Sequence, residues 1–172
     1  MTRYDYVKTR REDVKPLPRK YLGLVRAFLK AYTRINVWVY VQSKGRLLNK
    51  FPGGFDVCIV STTGAKSGRR RDIALIHLPY GRDKLLVASQ GGTDTNPSWY
   101  YNVKAHPEVS IMFHAERHRY RARQVDDDEK RALWPHLVAI YPDFDQYQAR
   151  TDRNIPVFRC ERIGEERSRD GR

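Results

Sequence analysis

Apolar residues recur at helical spacing near the start of the chain, and basic residues occupy the opposite side of the same segment. The apolar positions, each three or four residues after the last, are Tyr21, Val25, Phe28, Tyr32, Ile35 and Val39. The basic positions, spaced by four, are Arg26, Lys30 and Arg34. This pattern predicts an N-terminal amphipathic helix over residues 21–44, which ends before the Pro-Gly-Gly turn at 52–54. Such a helix either docks on the domain or lies on an anionic membrane surface with its aromatic side buried.

Further along, the pattern changes to short apolar runs separated by turn residues. The runs that are typical of strands are 55–60, 72–78, 84–89, 109–113, 120–125 and 155–160. A short helix is expected at 98–104, and a second one from the acidic start at 126–129 to Ile140, with an interruption at Pro135. Six short strands and few helices favour a mainly β fold with flanking helices, built on a small β-barrel.

One domain accounts for most of the 172 residues. We expect residues 1–20 to form a basic N-terminal arm that does not pack, residues 21–160 a single domain that includes the helix 21–44, and residues 161–172 a loose charged tail. No signal-peptide pattern and no apolar stretch of ~18 residues is seen. Two isolated cysteines, Cys58 and Cys160, fit a reducing compartment. A cytoplasmic location is therefore expected, with peripheral contact at the inner face of the cell membrane as the alternative.

The charge of the chain narrows the class of partner. The formal net charge is +13, from 33 Lys and Arg against 20 Asp and Glu. Such a field attracts nucleic acid, anionic lipid or a multiply charged small molecule. A nucleic-acid-binding barrel presents aromatic side chains on exposed strands, whereas the predicted strands here are mostly aliphatic. We therefore expect no nucleic-acid partner.

A basic, glycine-bearing loop at residues 61–71 is the main candidate for ligand binding. Its sequence is STTGAKSGRRR. Gly64 and Gly68 permit close backbone approach, and the hydroxyls and cations around them suit a phosphate group. The loop lacks the order of a P-loop and is flanked by strands on both sides. The alternative is a basic β-hairpin that binds nothing.

Two further clusters of residues do not by themselves indicate a functional site. The aromatic residues at 141, 144 and 147 follow helical spacing and predict a helix face packed on the barrel. His114, Glu116 and His118 fall at a predicted hairpin turn, where they do not align as ligands. No metal site is predicted.

Three separated motifs nevertheless resemble one protein family. They are STTGAKSGRRR, LLVASQGGTDTNPSWYYNVKAHPEV and YPDFDQYQARTDRNIPVF. Their order and spacing, from about Phe51 to Cys160, resemble the deazaflavin-dependent nitroreductase and quinone reductase family. The resemblance implies a split β-barrel like that of the flavin reductases. It also implies reduced coenzyme F-420, an 8-hydroxy-5-deazaflavin with a phosphodiester and a glutamate tail, whose negative charges would explain the basic loop.

The same resemblance implies which residues hold the cofactor. The implied contacts to its phosphate come from Ala65, Lys66, Ser67 and Arg71. The implied contacts along and beside its ring come from Ile73, Ala74, Ile76, Val87, Ala88, Ser89 and Gln90, and those on the other side of the ring from Ser98, Trp99 and Asn102. Ala65 stands where a basic residue is common, so its contact is expected from the backbone. Gln90 replaces a Lys of the nitroreductase, which leaves recognition of the tail open. Along the ring, Ala74 replaces a family Pro and Ile76 a family Tyr.

The implied acceptor pocket is formed by Ile76, Tyr141, Phe144 and Tyr147. Tyr141 or Tyr147 would act as the catalytic residue by donating a hydrogen bond to the acceptor, since a phenol with a pKa of ~10 stays protonated at neutral pH. The expected activity is hydride transfer from the reduced cofactor to a quinone or an activated enone or ester. Phe144 replaces a family tyrosine, so weak or no nitroimidazole activation is expected. The alternative function is a non-catalytic F-420 or lipid carrier of the same fold.

Overall fold

The computed structural model describes residues 4–14 and 35–165. The helices in these residues are α1 (residues 35–42), α2 (Ser98–Ala105), α3 (Asp127–Ile140) and α4 (Asp143–Arg150), with 3-10 turns at Arg11–Asp13 and Gln90–Gly92. The strands are β1 (Lys50–Phe51), β2 (Phe55–Thr63), β3 (Arg70–Ile76), β4 (Leu78–Tyr80), β5 (Asp83–Val87), β6 (Glu108–Phe113), β7 (Glu116–Gln124) and β8 (Val157–Glu165).

The antiparallel sheet closes on itself to form a barrel. From β2 the sheet runs through β6, β7, β8 and β5 to β4. The other side of β2 pairs with β3, and only His77 separates β3 from β4. One nearly continuous strand therefore pairs with β2 along its first part and with β5 along its second part. The predicted fold class, mainly β with flanking helices and a split β-barrel, is confirmed.

Strand β2 shows why the sequence has an unbroken apolar run at this point. Cys58 and Val60 point into the barrel, where they pack with the core that includes Phe158. Val57 and Ile59 point outwards and are also buried, at 6% and 0% exposure. A strand covered on both faces has no polar side, so its sequence does not alternate. The outward face of β2 is the face on which the cavity described below is built.

Helix α1 buries a different face from the one predicted. Val37 and Tyr40 are buried against the outer face of the barrel, whereas Ile35, predicted to lie on the buried face, is 63% exposed. The Tyr40 hydroxyl donates a hydrogen bond to the carbonyl oxygen of Val57 at 3.1 Å and accepts one from the backbone N–H of His114 at 2.9 Å. These two bonds fix the rotation of α1 in a way that apolar spacing cannot reveal. The remaining positions of the predicted face, except Val39, lie outside the described residues, as do Arg26, Lys30 and Arg34.

Residues 4–14 pack on the domain, contrary to the expectation that residues 1–20 do not pack. Val7 is 5% exposed and belongs to the cluster that includes α3 and α4. Tyr4, Tyr6 and Val14 pack against the same cluster. The basic side chains between these residues face solvent. Their number made the segment resemble an unpacked arm, although its apolar side chains are covered.

Two other boundaries differ from the sequence-based expectation. Helix α3 continues through Pro135 without interruption. Pro135 and Arg131 are both exposed, so water can reach the carbonyl oxygen that loses its intrahelical bond. Strand β8 extends to Glu165, beyond the predicted end of the domain at residue 160. Charged side chains on its outer face, such as Glu161, which pairs with Arg123 of β7 at 3.1 Å, gave the segment the sequence of a charged tail.

His77, the residue between β3 and β4, is a buried titratable group. It is 8% exposed, and its ring stacks on Phe113 with centroids 3.6 Å apart and an interplanar angle of 6°. Its Nε2 atom has no hydrogen-bond partner among the described residues. Burial lowers the pKa of His77 from 6.5 to about 4.

This burial predicts a loss of stability in acid. Because the folded protein binds the His77 proton less tightly, the unfolded chain takes up the extra proton between pH 6.5 and 4. We expect the free energy of unfolding to fall by about 2 kcal/mol over this window through His77 alone. A His77→Phe variant keeps a ring against Phe113 and should lose that part of the dependence, as measured by urea unfolding across the window. Identical pH profiles for the variant and the parent chain would contradict the prediction.

Candidate functional site

A cavity of about 440 Å³ lies between the outer face of the barrel and the helices α1 and α4. One wall is formed by strands β2, β3 and β5, and the other by α1, α4, Tyr141, Leu48 and residues 50–52. The lining side chains are mainly aliphatic and aromatic. A volume of this order is typical of pockets for small molecules and cofactors.

The barrel wall contains four of the residues predicted to lie along the cofactor ring. Ala74 and Ile76 of β3, Val87 of β5 and Ser89 line the cavity. Side chains alternate along a strand, and Ile73 packs instead against the core inside the barrel. With Ala and Ile at positions 74 and 76, this wall is aliphatic.

The opposite wall contains the three aromatic residues predicted for the acceptor pocket. Tyr141, Phe144 and Tyr147 all line the cavity, and the ring of Phe144 lies 4.9 Å from that of Tyr141 and 6.4 Å from that of Tyr147. The two tyrosine hydroxyls are 3.0 Å apart and share a hydrogen bond. Burial, and next the bond to Tyr147, raise the pKa of Tyr141 far above its usual value. The site therefore presents a phenol that keeps its proton at every ordinary pH.

The segment between α1 and β2 contributes cavity residues that the sequence pattern did not indicate. Phe51 lines the cavity, and its ring lies 6.2 Å from that of Tyr141. Phe55 lies on the other side of the turn, and its ring centre is 4.8 Å from that of Tyr141. Lys50 also lines the cavity and forms an ion pair with Asp56 at 2.6 Å. The available signal was the pair of phenylalanines that flank the Pro-Gly-Gly turn.

The basic loop is a tight hairpin between β2 and β3. The backbone N–H of Gly64 donates to the Arg69 carbonyl oxygen at 2.8 Å, and the N–H of Gly68 donates to the Gly64 carbonyl oxygen at 2.8 Å. Gly68 has a φ of +62°. A Cβ atom at Gly64 would come within 2.7 Å of the Ser67 hydroxyl. Both glycines are therefore needed for the closed form of this loop.

The cations of the loop fall into two groups. Lys66 and Arg71 are exposed, and neither forms an ion pair with another described residue. Arg70 is engaged, because it pairs with Asp72 at 2.8 Å and donates to the Ser61 hydroxyl at 2.8 Å. Lys66 and Arg71, which the family resemblance assigns to the phosphate, are thus available to an anion, whereas Arg70 is held by Asp72 and Ser61.

Helix α2 is attached to the basic loop by one side chain. The Asn102 amide oxygen accepts from the backbone N–H of Ala65 at 3.0 Å, and its nitrogen donates to the Thr62 hydroxyl at 3.1 Å. Ser98 is exposed at the start of the helix. Trp99, however, is 5% exposed and lies in the barrel core, so its ring does not face outwards.

The segment after β5 is held by Arg153, which lies between α4 and β8. The Arg153 guanidinium donates to the carbonyl oxygens of Ala88 and Ser89 at 3.2 and 3.0 Å. Ala88 itself is fully buried, and Gln90 is exposed with a φ of +46°. The backbone at 88–90 is therefore fixed, while the Gln90 side chain faces solvent beside the cavity edge.

Two negative findings apply to the described part of the chain. No group of three or more His, Cys, Asp or Glu side chains there could hold a metal ion. His118 lies 3.4 Å from Glu116 and accepts from Arg162 at 2.9 Å. Across the same residues, none of the helices combines the length and the apolar character that a bilayer crossing requires.

The donor set fits a deazaflavin cofactor. A flat ring system needs an apolar slot, and a phosphodiester needs hydroxyls and cations. Strand β3 links the two kinds of site, because Arg71 near its start belongs to the basic loop and Ala74 lines the cavity.

Comparison with known proteins gives one consistent family. The sequence model described as F420H(2)-dependent quinone reductase matches residues 32–162. An F420H(2)-dependent quinone reductase of Mycobacterium tuberculosis strain H37Rv is 34% identical over 127 residues, which cover 72% of this chain and 85% of the relative. The solved structure of an F420-H2 dependent reductase is 40% identical, with a TM-score of 0.58, and covers 61% of this chain and 93% of that one. A structure described as a domain-swapped dimer is 34% identical, with a TM-score of 0.61, and covers 81% and 98% of the two chains.

The matched range runs from the region of α1 to β8 and contains the basic loop and both walls of the cavity. The prediction of an F-420-dependent reductase is confirmed at the level of the family, and coenzyme F-420 is the cofactor that the family uses. The chain belongs to the F420H(2)-dependent quinone reductase family.

Proposed function

We propose that this chain transfers a hydride from reduced coenzyme F-420 to a quinone-like acceptor that binds in the cavity against Tyr141, Phe144 and Tyr147. The family supports the cofactor and the reaction class. The observation that carries the acceptor site is the pair of tyrosine hydroxyls, 3.0 Å apart, on the wall opposite Ala74 and Ile76. Activated enones and esters share the carbonyl group that such a site recognises, and they form the second class of acceptor.

The proposed cofactor site joins the basic loop to the barrel wall. Lys66, Ser67 and Arg71 would hold the phosphate. The backbone N–H of Ala65, expected to contribute as well, instead donates to the Asn102 amide oxygen at 3.0 Å. The ring would lie along the wall formed by Ala74, Ile76, Val87 and Ser89, with Gln90, Ser98 and Asn102 at its edges. The reduced deazaflavin supplies a hydride from its C5 atom when it is bound.

The residues of the chain position the acceptor and protect the reaction from water. Tyr141 or Tyr147 donates a hydrogen bond to the acceptor oxygen, and the other hydroxyl supports that donor. Negative charge develops on this oxygen as hydride arrives, so a fixed donor stabilises the transition state more than the ground state. The proton that completes the reduction comes from this phenol or from solvent.

Two residues make the site more suited to quinones than to nitro compounds. Phe144 carries no hydroxyl, and Ile76 is aliphatic, so Tyr141 and Tyr147 supply the hydroxyl donors of a wall that also contains Asn36 and Lys50. One hydrogen-bond donor is enough for the single oxygen of a carbonyl group, whereas a nitro group has two oxygens that both need donors. Weak or no reduction of nitroimidazoles therefore stays the prediction.

Peripheral contact with an anionic membrane also stays a prediction. Residues 15–34 lie outside the described part, and in α1 the side chains of Ile35 and Trp38 are 63% and 64% exposed. Exposed apolar and aromatic residues on a basic chain suit an anionic surface. Co-sedimentation with anionic and with neutral vesicles would test the contact.

The function is tested by mixing the protein with reduced F-420 and menadione and following the return of the absorbance of the oxidised deazaflavin. Multiple turnovers above the protein-free rate are expected. Tight binding of F-420 without turnover would instead identify a carrier. Absence of binding would overturn both functions.

The roles of the tyrosines are tested in the same assay. We expect Tyr141→Phe or Tyr147→Phe to lower kcat/KM for menadione by about 10- to 100-fold, because the lost hydroxyl stabilises the transition state more than the ground state. F-420 affinity should not change. Tyr101→Phe, at an exposed position outside the cavity, is the matched control and should behave as the parent chain. Parental kcat/KM in both variants and in the double variant would remove the phenols from the mechanism.

A further inference from the structure

Helix α4 carries two of the three aromatic residues of the acceptor wall, yet little within the helix fixes its position. It has only eight residues, and no side chain caps its N-terminus. A helix of this length is not stable on its own in water. Its placement therefore depends on contacts with the rest of the molecule.

The side chains of α4 divide these contacts between two neighbouring faces. Phe144 and Tyr147, three residues apart, face the cavity. Asp145 and Gln148, also three apart, share the adjacent face and are 6% and 2% exposed. Whatever holds Asp145 and Gln148 therefore sets the rotation of the helix and the positions of the two aromatic rings.

The carboxylate of Asp145 is held mainly by the N-terminal strap, the name used here for residues 4–14. One carboxylate oxygen accepts from the backbone N–H groups of Lys8 and Thr9 at 2.8 and 2.6 Å and from the Thr9 hydroxyl at 2.9 Å. The other oxygen accepts from the indole N–H of Trp134 at 3.0 Å. Four donors on one buried carboxylate form a strong, charge-assisted attachment.

A buried lysine, Lys130, whose pKa burial lowers to about 7, forms the second attachment of the strap. Lys130 is 2% exposed, and its ammonium group donates to the side-chain oxygens of Gln148, at 2.9 Å, and of Asn154. The same group lies 5.2 Å from the ring centre of Tyr4 and 5.6 Å from that of Tyr6. One ammonium group thus contacts both the buried face of α4 and the aromatic residues of the strap.

We propose that the N-terminal strap sets the position of α4 through Asp145, and that Asp145 is a positioning residue for acceptor binding. Its carboxylate points away from the cavity and is not catalytic. The expected change in acceptor KM rests on the proposed function, whereas the positioning of α4 by the strap does not. The strap precedes residues 32–162, so the family match does not describe it.

The test compares three variants of the full chain. Asp145→Asn keeps the size of the side chain but turns an NH₂ group towards donors, and Thr9→Val removes one donor with little change in shape. Asp5→Asn is the matched control, because it breaks an exposed ion pair of the same strap with Arg131, at 2.7 Å, and does not contact α4. Thr9→Val is the milder change and keeps the test valid if Asp145→Asn folds poorly.

The expected result is a change in acceptor binding rather than a general loss of activity. KM for menadione should rise by about tenfold in Asp145→Asn and by about threefold in Thr9→Val, with kcat and F-420 affinity within about twofold of the parent. Asp5→Asn should match the parent chain in every measurement. Parental KM in both folded variants, or an equal loss of F-420 affinity and kcat, would overturn the positioning role.

A second readout needs neither acceptor nor turnover. Hydrogen exchange of the α4 amides should be faster in Asp145→Asn and Thr9→Val, and unchanged in Asp5→Asn. This readout distinguishes the two hypotheses, because faster α4 exchange in a chain that reduces no menadione would contradict the proposed function while supporting the strap. Unchanged α4 exchange in Asp145→Asn would overturn the strap even if the chain is an active reductase.

Discussion

A Gly92→Ala variant is expected to lose most of its menadione reduction and about 3 kcal/mol of unfolding free energy. Gly92 has a φ of +76°, and a Cβ atom there would come within 2.5 Å of the Tyr147 carbonyl oxygen and 2.9 Å of the Tyr147 Cα atom. Both atoms belong to the backbone of α4, so they cannot move away unless the helix shifts. A shift of α4 displaces Phe144 and Tyr147, which form the acceptor wall. Steady-state kinetics and urea unfolding measure the two effects.

Gly91 provides the matched control for this variant. It has a φ of +67°, and a Cβ atom there would meet nothing within 4 Å. Gly91→Ala therefore shares the backbone strain but not the collision, and it should cost about 1 kcal/mol of stability and leave kcat/KM nearly parental. If the two alanine variants prove equally active and equally stable, close packing of the Gln90–Gly92 turn on α4 has no part in the function.

The strands were predictable because each is specified by neighbouring residues. Apolar runs and glycine turns located all six of the predicted strands, and the side-chain oxygen of Asp126 caps α3 by accepting from the Glu129 N–H at 2.8 Å, as the acidic helix start suggested. The closure of the barrel was not visible at this level. The strand pattern predicted a small β-barrel but not how it closes, because closure depends on pairing of β3 and β4 with two different strands. The split form of the barrel was implied by the family resemblance alone.

The acceptor side of the site was only partly predictable, because its support comes from distant residues. Tyr141, Phe144 and Tyr147 have helical spacing, yet spacing alone favoured simple packing on the barrel. Asp145 is held by Thr9, 136 residues earlier in the sequence, and nothing in the local pattern of either segment indicates the contact. The orientation of α1 was missed for a similar reason, since it depends on hydrogen bonds made by the Tyr40 hydroxyl.

The basic loop leads to the largest expected change in cofactor binding. Lys66→Ala and Arg71→Ala should each weaken the affinity for F-420 by about 10- to 100-fold, and the double variant by about 1,000-fold, because each charge-assisted contact to a phosphate contributes about 1–3 kcal/mol. Both side chains are exposed and form no ion pair with another described residue, so the unfolding free energy should change little. Fluorescence titration with F-420 gives the dissociation constants. KM for menadione at saturating F-420 should stay close to that of the parent chain.

Arg69→Ala separates specific contacts from the general positive field of the loop. Arg69 is exposed in the same hairpin, and its backbone rather than its side chain makes the hydrogen bonds that close the loop. Its removal subtracts the same charge and should change the affinity by less than about threefold at physiological ionic strength, where exposed charges are largely screened. The double variant should also show a weaker dependence of F-420 affinity on salt, because two of the contacting charges are gone. If Arg69→Ala weakens binding as much as Lys66→Ala or Arg71→Ala, the field of a chain with net charge +13 holds the cofactor, and the loop has no dedicated phosphate contacts.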